Sequence, residues 1–454
     1  MRKTANSPLS QDACDVVRCV IRPTRVVPPA SNVSTGMTST DRLVAEIRRG
    51  NCVAFVGAGF SAPSVQGWVP LLQSLASSVG PGTHEQVVRL TDGNPTSKNL
   101  EAAAQILKDD IGEETFSAAL KSVMPAPPFV EMQQRLDLLK GIPFRSVLTT
   151  NFDGILPGTP IGRNAYQQVL RPSGHRWWDE RFWKSERGPE VVQLHGNVDA
   201  ADGVVFTRSD YRRRVYSSPG YTTFLRAVMS TTTVLYLGFS FTDAYLDELR
   251  SEVLALLDYE GGDTPIAYAL LHGVGDDEIE YARSHEGIEV IPYSAENGHE
   301  EFDEFLVELH DRTNPKAILG GYLAQKRIGW VDPDEISIDG GMQFLESAAK
   351  GAARLDRFDS APDAVNAAAE NDFDLIVTRW GHGEGSTGDA VAVELLKEIR
   401  TRDVRAPVVV FASGSHADVN KRTAMGLGAT SYEYSWEGLF QEVERIFTPG
   451  SMRP

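Results

Sequence analysis

The sequence predicts an α/β protein, with a Rossmann-like doubly wound parallel sheet followed by a smaller flavodoxin-like α/β domain. Two observations lead to this prediction. From Asn51 onward, short and nearly continuous apolar runs alternate with longer amphipathic helical patterns, and the alternation is interrupted once, at a segment rich in proline and glycine. Strands without polar alternation are buried on both faces, which is typical of a parallel sheet covered by helices.

Six apolar runs are the strand candidates of the first series. They are CVAFVGAG, RSVLTTN, EVVQLHG, TVLYLGFS, IAYALLH and IEVIPY. The helix TDRLVAEIRRG precedes them, with Gly50 at its C-terminal stop, and the amphipathic stretch HEEFDEFLVELHD closes the series. These elements predict one domain over residues 40–312.

A second series follows the segment RTNPKAILGGYLAQ, whose Pro315, Gly320 and Gly321 indicate a linker over residues 313–325. Its strand candidates are RIGWVD, AARLDRFD, FDLIVTRW, APVVVFAS and ATSYEY. Five strands that alternate with five helices over residues 326–448 are typical of a flavodoxin-like domain.

The N-terminal segment mixes Ser, Thr, Pro and Arg without sustained periodicity. We interpret residues 1–39 as a disordered leader. Met37 stands immediately before the first helix, so translation starts either at Met1 or at Met37.

Composition argues against several classes of protein. The chain of 454 residues carries 44 Lys+Arg against 62 Asp+Glu, a formal net charge of −18. A field of this sign repels nucleic acid, so we expect nucleic acid only through a partner protein. No apolar run reaches the ~18–20 residues of a membrane span and no signal peptide is evident, which predicts a cytoplasmic protein without membrane contact. The three cysteines, Cys14, Cys19 and Cys52, supply neither a disulfide scaffold nor a four-thiolate zinc site, so no metal site is predicted.

The first strand is followed by GAGFSA at residues 57–62, which matches the pattern GxGxxA. Such a loop lets the backbone approach a pyrophosphate, whose charge lies over the N-terminus of the following helix. A plain tight turn accounts for the glycines equally well. The acidic residue ~20 positions further on that usually accompanies the pattern is not evident. Both readings stay open at this point.

Three later strand ends also carry polar residues. They are TTNFD at 149–153, LHG at 194–196 and GFSFTD at 238–243. Each alone has a structural explanation, since Asn-x-Asp often caps a helix and a histidine before glycine is more often packed than catalytic. Open α/β sheets bind ligands outside the carboxyl ends of their strands, so we expect all four segments to converge on one crevice.

These four segments, in this order and spacing, resemble the sirtuin (SIR2-like) family over residues 40–312, and VVFTRSDY at 204–211 is similar to a pattern in its bacterial branch. The resemblance implies NAD+ as the substrate. The catalytic residues that it implies are Asn151 and Asp153, around the nicotinamide and its ribose, and His195 as general base. The NAD+-binding residues that it implies are Gly57, Ala58, Gly59, Phe60, Ser61, Thr150, Gly238 and Ser240, the last two bordering the adenosine half.

The chemistry suits these residue types. Cleavage of the nicotinamide–ribose bond releases a neutral leaving group from a cationic one through an oxocarbenium-like transition state. An amide such as Asn151 can hold a ribose hydroxyl or a water molecule. A histidine with an unperturbed pKa near ~6.5 can accept a proton at neutral pH.

The chain departs from the protein-deacylating sirtuins at two points. No cysteine follows Cys52, so the two Cys-x-x-Cys pairs of their structural zinc are missing, and APSVQGWVPLL replaces the family's G-I-P-x-F-R continuation. We therefore expect no zinc, and water rather than acyl-lysine as the acceptor. The combination resembles the SIR2-like effectors of bacterial antiviral defence, which hydrolyse NAD+ to nicotinamide and ADP-ribose and so starve the infected cell.

The function predicted is thus a regulated NAD+ hydrolase (NAD+ glycohydrolase) that acts in antiviral defence by abortive infection. An unregulated enzyme of this kind would poison its host. We therefore expect an off state, set by assembly of a homo-oligomer or by a co-encoded partner protein. Two alternatives stay open: an NAD-dependent protein deacylase or ADP-ribosyltransferase, and a nucleotide-sensing module without turnover.

Residues 326–448 resemble a response-regulator receiver in pattern. The acidic pair after the first strand is present as Asp332 and Asp334, but Arg379 stands where the family has its phospho-accepting aspartate and Ser435 where it has lysine. Arginine cannot accept phosphate, and we expect it to pair with one of the two aspartates. The interpretation is a pseudo-receiver that senses, docks or oligomerises.

Three further features have more than one reading. A TIR-like domain, with Glu384 or Glu394 as its acid, is the alternative for the second domain. The arginine run at residues 212–214 is either a phosphate contact or, more commonly, a solvated helix face. The aromatic insert RWWDERFW at residues 176–183 covers the pocket, forms an interface or packs in a core.

Overall fold

The computed structural model describes residues 37–93, 95–160, 190–199, 203–241, 244–260, 264–381, 390–412 and 417–448. Residues Ser39–Pro454 form one compact unit, and it contains two β-sheets in which every strand pair is parallel. The predicted fold class is therefore confirmed. The expected leader falls almost wholly outside the described residues. None of the described helices is long and apolar enough to cross a membrane.

Seven strands form the first sheet. In chain order they are β1 (Cys52–Val56), β2 (Ser146–Thr149), β3 (Thr159–Pro160), β4 (Val191–Gln193), β5 (Thr233–Leu237), β6 (Ala267–His272) and β7 (Ile288–Tyr293). All six predicted strands are present, and the two-residue β3 was not predicted. The spatial order is β3-β4-β2-β1-β5-β6-β7. The chain changes direction beside β1, which is the switch point of a doubly wound sheet and the place where such sheets open a crevice.

Helices accompany this sheet along the chain. They are α1 (Ser39–Arg48), α2 (Ala58–Ser61), α3 (Trp68–Ala76), α4 (Pro81–Thr91), α5 (Ser97–Ile111), α6 (Glu113–Val123), α7 (Gln133–Gly141), α8 (Arg208–Tyr211), α9 (Pro219–Thr231), α10 (Ala244–Leu256), α11 (Asp276–His285) and α12 (Glu300–Thr313). Helices α3–α6, which we call the helical cap, lie between β1 and β2 in the chain. The cap has its own apolar cluster, to which the later residue Phe206 contributes a fully buried ring.

The first sheet is buried on both faces. Val53 and Phe55 of β1 belong to one apolar cluster, whereas Cys52, Ala54 and Val56 belong to another. Successive side chains of a strand point to opposite faces, so a strand between two helix layers has to be apolar at every position. This requirement explains why its strands were recognisable as continuous apolar runs.

The second sheet has five strands and its own helices. The strands are β8 (Arg327–Val331), β9 (Arg354–Phe358), β10 (Leu375–Arg379), β11 (Val408–Phe411) and β12 (Ser431–Glu433). The helices are α13 (Pro315–Leu323), α14 (Glu335–Ala349), α15 (Ala361–Glu370), α16 (Val391–Thr401), α17 (Ala417–Gly426) and α18 (Trp436–Phe447). The spatial order β12-β11-β10-β8-β9 is the flavodoxin-like order, as predicted.

The segment interpreted as a linker is a helix. Asn314 caps α13, and its side-chain oxygen accepts two backbone N–H groups at 3.0 Å each. Leu319 and Leu323 are buried in an apolar cluster of the second sheet. A Cβ on Gly320 would lie 2.1 Å from the carbonyl oxygen of Ala348, so the glycine permits α13 to pack closely on α14. Tertiary packing here overrides the low helix propensity of glycine.

Candidate functional site

A cavity of about 310 Å³ lies at the carboxyl edge of the first sheet. Four strand ends contribute to its wall: Gly57 and Ala58 after β1, Thr150, Asn151 and Asp153 after β2, His195 after β4, and Phe239 and Ser240 after β5. The helical cap and the chain leading into it supply another part, including Gln66, Trp68, Leu100 and Glu101. The expected convergence of the four segments is confirmed, whereas the role of each residue stays a prediction.

A second cavity, of about 730 Å³, shares Ala58, Phe239 and Ser240 with the first. Gly59 and Gly238 line this second cavity. Most of the predicted site residues therefore line one or both of two neighbouring cavities, and Phe60 and Ser61 line neither.

Three glycines allow the loops after β1 and β5 to touch backbone to backbone. A Cβ on Gly57 would lie 2.5 Å from the carbonyl oxygen of Gly238, and a Cβ on Gly238 would lie 2.2 Å from the nitrogen of Phe60. Gly238 also has a φ of +62°, which favours glycine. The N–H groups of Gly57 and Gly59 donate to Leu237 and Gly238 at 2.9 Å. Close packing of two loops is thus a sufficient reason for these glycines.

The helix that follows the glycine loop is a single turn, α2. Two backbone donors of the loop are already bonded to β5 and its loop, so little of the expected phosphate-binding helix terminus is present. Phe60 is fully buried, and its ring packs edge-on against Phe302 at 6.4 Å between centroids. Its side chain belongs to the core of the sheet.

Asn151 is buried and its amide orientation is fixed. Its Nδ2 donates to the carbonyl oxygen of Gly57 at 3.1 Å and to Ser61 Oγ at 3.0 Å. A carbonyl oxygen can only accept, so the nitrogen of the amide must face Gly57. The two donated bonds leave Oδ1 as the atom that can accept a hydrogen bond from a molecule in the cavity.

Thr149, which the sequence did not single out as a site residue, holds Asn151 in place. Its hydroxyl donates to the carbonyl oxygen of Val56 at 2.9 Å and accepts the N–H of Asn151 at 3.0 Å. The side chain thereby joins the ends of β1 and β2. A threonine at the last position of a buried strand was the available signal, but nothing local distinguishes it from other strand threonines.

Asp153 is a buried carboxyl group in the cavity wall. Burial raises its pKa above the ordinary value, and hydrogen bonds from the Ile155 N–H, at 3.0 Å, and from the Ser61 hydroxyl offset part of this effect. Ser61 is itself fully buried. Ser61 therefore links Asn151 and Asp153 rather than facing the cavity.

His195 lines the cavity just after the end of β4, and only 7% of it is exposed. Its backbone carbonyl accepts the N–H of Val205 at 2.7 Å. The hydroxyl of Tyr211 lies 3.4 Å from His195 Nε2, and the two rings meet edge-on at 5.2 Å between centroids. Tyr211 also lines the cavity. It is the last residue of VVFTRSDY, but the sequence pattern did not identify it as a site residue.

An aromatic stack attaches the helical cap to the rest of the site. The ring of Trp68 lies parallel to that of Phe206 at 4.7 Å, and Phe152 meets Phe206 edge-on at 5.3 Å. Trp68 belongs to the stretch that replaces the sirtuin continuation after the glycine loop. The stretch in which the chain departs from the sirtuin pattern therefore contributes Trp68 to the wall of the cavity.

The second sheet carries the expected ion pair. Arg379 Nε lies 3.5 Å from Asp332 Oδ2 at the ends of β10 and β8, which confirms the predicted pairing. Ser435 caps α18 and accepts the N–H of Gly438 at 3.1 Å. Glu394 is exposed on α16.

The remaining features of the sequence have these outcomes. Glu384 and the aromatic insert at 176–183 lie outside the described residues. Arg212 and Arg213 are exposed in a π-helical turn, and Arg213 pairs with Asp210 at 3.1 Å. Among the described residues, no three His, Cys, Asp or Glu side chains are placed to hold a metal ion.

Comparison with solved structures found receiver domains. One from a Francisella response regulator is 19% identical, with 27% of this chain and 97% of that chain covered and a TM-score of 0.23. The receiver domain of a Pseudomonas aeruginosa sensor histidine kinase is 16% identical, with 27% and 98% covered and a TM-score of 0.24. A likeness with such low identities and TM-scores supports no conclusion about the function of this chain.

Comparison with curated proteins found enzymes named NAD(+) hydrolase ThsA. The protein of Enterococcus faecium is 27% identical over 216 residues, which are 46% of this chain and 41% of that protein. The protein of Bacillus cereus (strain MSX-D12) is 23% identical over 215 residues, with the same shares. The match thus spans about two fifths of the length of these relatives. Residues 145–291, which carry three of the four converging strand ends, match the model of the SIR2-like domain.

Proposed function

We propose that the chain is an NAD+ hydrolase that releases nicotinamide and ADP-ribose. The observation that carries this proposal is that Asn151 and Asp153, from the end of β2, and His195, from the end of β4, line one cavity. The SIR2-like match over residues 145–291 and the similarity to proteins named NAD(+) hydrolase support it.

The side chains suit hydrolysis of the nicotinamide–ribose bond. The bonding pair leaves with nicotinamide, which becomes neutral, and the oxygen of a water molecule bonds to the ribose carbon in its place. His195 accepts the proton that this water loses. Asn151 Oδ1 accepts a hydrogen bond from a ribose hydroxyl or from the water, because its Nδ2 is already held by Gly57 and Ser61. Asp153 lies beside the nicotinamide and its ribose.

Water is the proposed acceptor rather than an acyl-lysine side chain. The chain has no cysteine after Cys52, which is buried in β1. The cysteine pairs that hold the structural zinc of protein-deacylating sirtuins therefore have no counterpart in this chain. The proposed biological role is antiviral defence through NAD+ depletion. An off state, set by homo-oligomer assembly or a co-encoded partner protein, would protect the host.

Substitution of the cavity residues tests the activity. We expect His195→Ala and Asn151→Ala each to lower NAD+ consumption by the activated protein by roughly a hundredfold or more, since general-base and positioning groups contribute factors of this size. His285→Ala removes an exposed histidine of α11 and is the matched control, with activity expected at the wild-type level. Full NAD+ turnover by the His195 variant would rule out the assigned mechanism.

Product analysis separates the alternatives. Free ADP-ribose and nicotinamide in equal amounts support hydrolysis, whereas acetylated ribose or ADP-ribosylated protein would indicate deacylation or transfer. Tight NAD+ binding without nicotinamide release under any activating condition would indicate a sensing module instead.

A further inference from the structure

The short helix α8 carries Tyr211, which contacts His195, and reciprocal hydrogen bonds fix the start of this helix. Thr207 Oγ1 accepts the N–H of Asp210, while Asp210 Oδ2 accepts the N–H of Thr207 at 3.0 Å and its hydroxyl at 2.8 Å. This reciprocal arrangement is a capping box. Tyr211 follows Asp210 directly in the chain, so the box determines where the Tyr211 backbone lies.

A buried ion pair fastens this capping box to the helical cap. Lys108 Nζ on α5 donates to Asp210 Oδ1 at 2.8 Å, and the two side chains are 9% and 1% exposed. Lys108 Nζ also lies 2.9 Å from Glu113 Oε2. Burial alone would raise the pKa of Asp210, but hydrogen bonds from Lys108 and Thr207 lower it below the ordinary value, so the carboxylate is charged at neutral pH. A second contact, from the Ser209 N–H to Gln105 Oε1 at 3.1 Å, joins the same two helices.

Helix α5 also reaches the cavity itself. Glu101 lines the cavity and stands seven residues before Lys108. Residues seven apart in a helix are separated by two turns and lie on the same face. The face of α5 that lines the cavity is therefore also the face that contacts α8.

We infer that Tyr211 is a positioning residue for His195 and that the Lys108–Asp210 ion pair holds Tyr211 against it. The Tyr211 hydroxyl, at 3.4 Å from Nε2, restricts the rotation of the imidazole and biases which ring nitrogen carries the proton. The ion pair acts through the capping box, because any movement of Asp210 moves the next residue. As a contribution to catalysis the inference rests on the proposed NAD+ hydrolase function, but the contact with His195 can be measured without activity.

The test compares two pairs of variants. Tyr211→Phe keeps the ring that meets His195 and removes only the hydroxyl, and its control is Tyr216→Phe, an exposed tyrosine whose ring meets Tyr245. Lys108→Met removes the cation, and its control is Lys121→Met, which breaks an exposed ion pair with Asp199.

The first readout is the imidazole titration of His195, followed by NMR in protein labelled at histidine, with the signal assigned by its loss in His195→Ala. Besides Tyr211 itself, the described titratable side chains that line the cavity with His195 are Glu101 and Asp153, and both are unchanged in all four variants. We expect the pH midpoint of the His195 titration to shift in Tyr211→Phe and in Lys108→Met and to remain unchanged in both controls. A midpoint unchanged in Tyr211→Phe overturns the inference, whatever the activity of the wild type.

The second readout is the split between kcat and KM. We expect Tyr211→Phe to lower kcat by roughly tenfold or more with KM nearly unchanged, since misplacement of a catalytic group affects the chemical step. Thermal unfolding of each variant monitors folding, and Tyr211→Phe decides the question if Lys108→Met does not fold. A wild type without NAD+ turnover, together with a shifted titration midpoint, refutes the proposed function but not the positioning contact.

Discussion

Two buried polar residues of the cavity wall, Asn151 and Asp153, are each held by a backbone group. Asn151 donates to Gly57, and Asp153 accepts from Ile155. Buried polar groups of this kind are costly unless they are bonded. The network therefore fixes the orientation of the amide and of the carboxyl group before any ligand enters.

The buried carboxyl group of Asp153 makes stability depend on pH. Its pKa is raised in the folded state above the ordinary value of 3.8. The stability that the protonated Asp153 carboxyl group contributes is thus fully present below pH 3.8 and is lost as the pH rises through its folded-state pKa. We expect Asp153→Asn, whose side-chain oxygen can still accept the Ile155 N–H, to gain stability relative to wild type as the pH rises to neutrality.

Urea unfolding at pH 4 and pH 7 measures this difference. Asp372→Asn, at an exposed position before β10, is the control for the same substitution outside the buried site. A stability difference for Asp153→Asn that does not change with pH would contradict the expectation.

At the scale of elements, the contact between the loops after β1 and β5 organises the site. The glycines of this contact line the two cavities, and the aromatic rings of Phe55, Tyr236 and Phe239 pack together beside it. A backbone contact of this kind has no room for a side chain. The geometry of the cavity edge therefore depends on residue size rather than on residue chemistry.

Substitution of Gly238 separates the effect of crowding from that of backbone conformation. Gly238→Ala places a Cβ 2.2 Å from Phe60 N at a φ of +62°, and we expect a loss of about 3 kcal/mol or more of unfolding free energy. Gly273→Ala is the control, because Gly273 has a φ of +68° with nothing within 4 Å of its Cβ, and should cost about 1–2 kcal/mol. Equal losses in urea unfolding would show that crowding is unimportant.

At the scale of the whole molecule, the two sheets have separate cores. Each of the five apolar clusters draws its residues either from the part of the chain before α13 or from α13 onward. This separation is consistent with the proposed division at residues 313–325, and it places α13 with the second sheet. The second sheet unit, which we propose to be a pseudo-receiver, can then serve in sensing, docking or assembly without sharing the core of the first sheet.

The second unit should not take up phosphate. Arg379 occupies the end of β10 and pairs with Asp332, so a cation stands where a receiver presents its phospho-accepting carboxylate. We expect no phosphoryl adduct by intact mass spectrometry after incubation of the full chain with acetyl phosphate and Mg²⁺. A known receiver domain treated in parallel is the positive control, and an adduct on this chain within residues 326–448 would refute the pseudo-receiver proposal.

The sequence by itself determined the strands and most of the helices. Strands buried on both faces require continuous apolar runs, and amphipathic helices require a periodic apolar face. These elements can therefore be recognised from local sequence patterns. The convergence of the four polar segments also followed, because parallel strands bring their carboxyl ends to one edge.

Only the tertiary structure decided which groups meet across the chain. Lys108 and Asp210 are 102 residues apart, and their pairing depends on the way in which the helical cap packs on the segment before α8. The same is true of Gly57 against Gly238 and of the helical state of α13, where burial of Leu319 outweighs the local glycines. Local sequence carries propensity and polarity, whereas contact, burial and the positioning of Tyr211 on His195 arise from packing between distant segments.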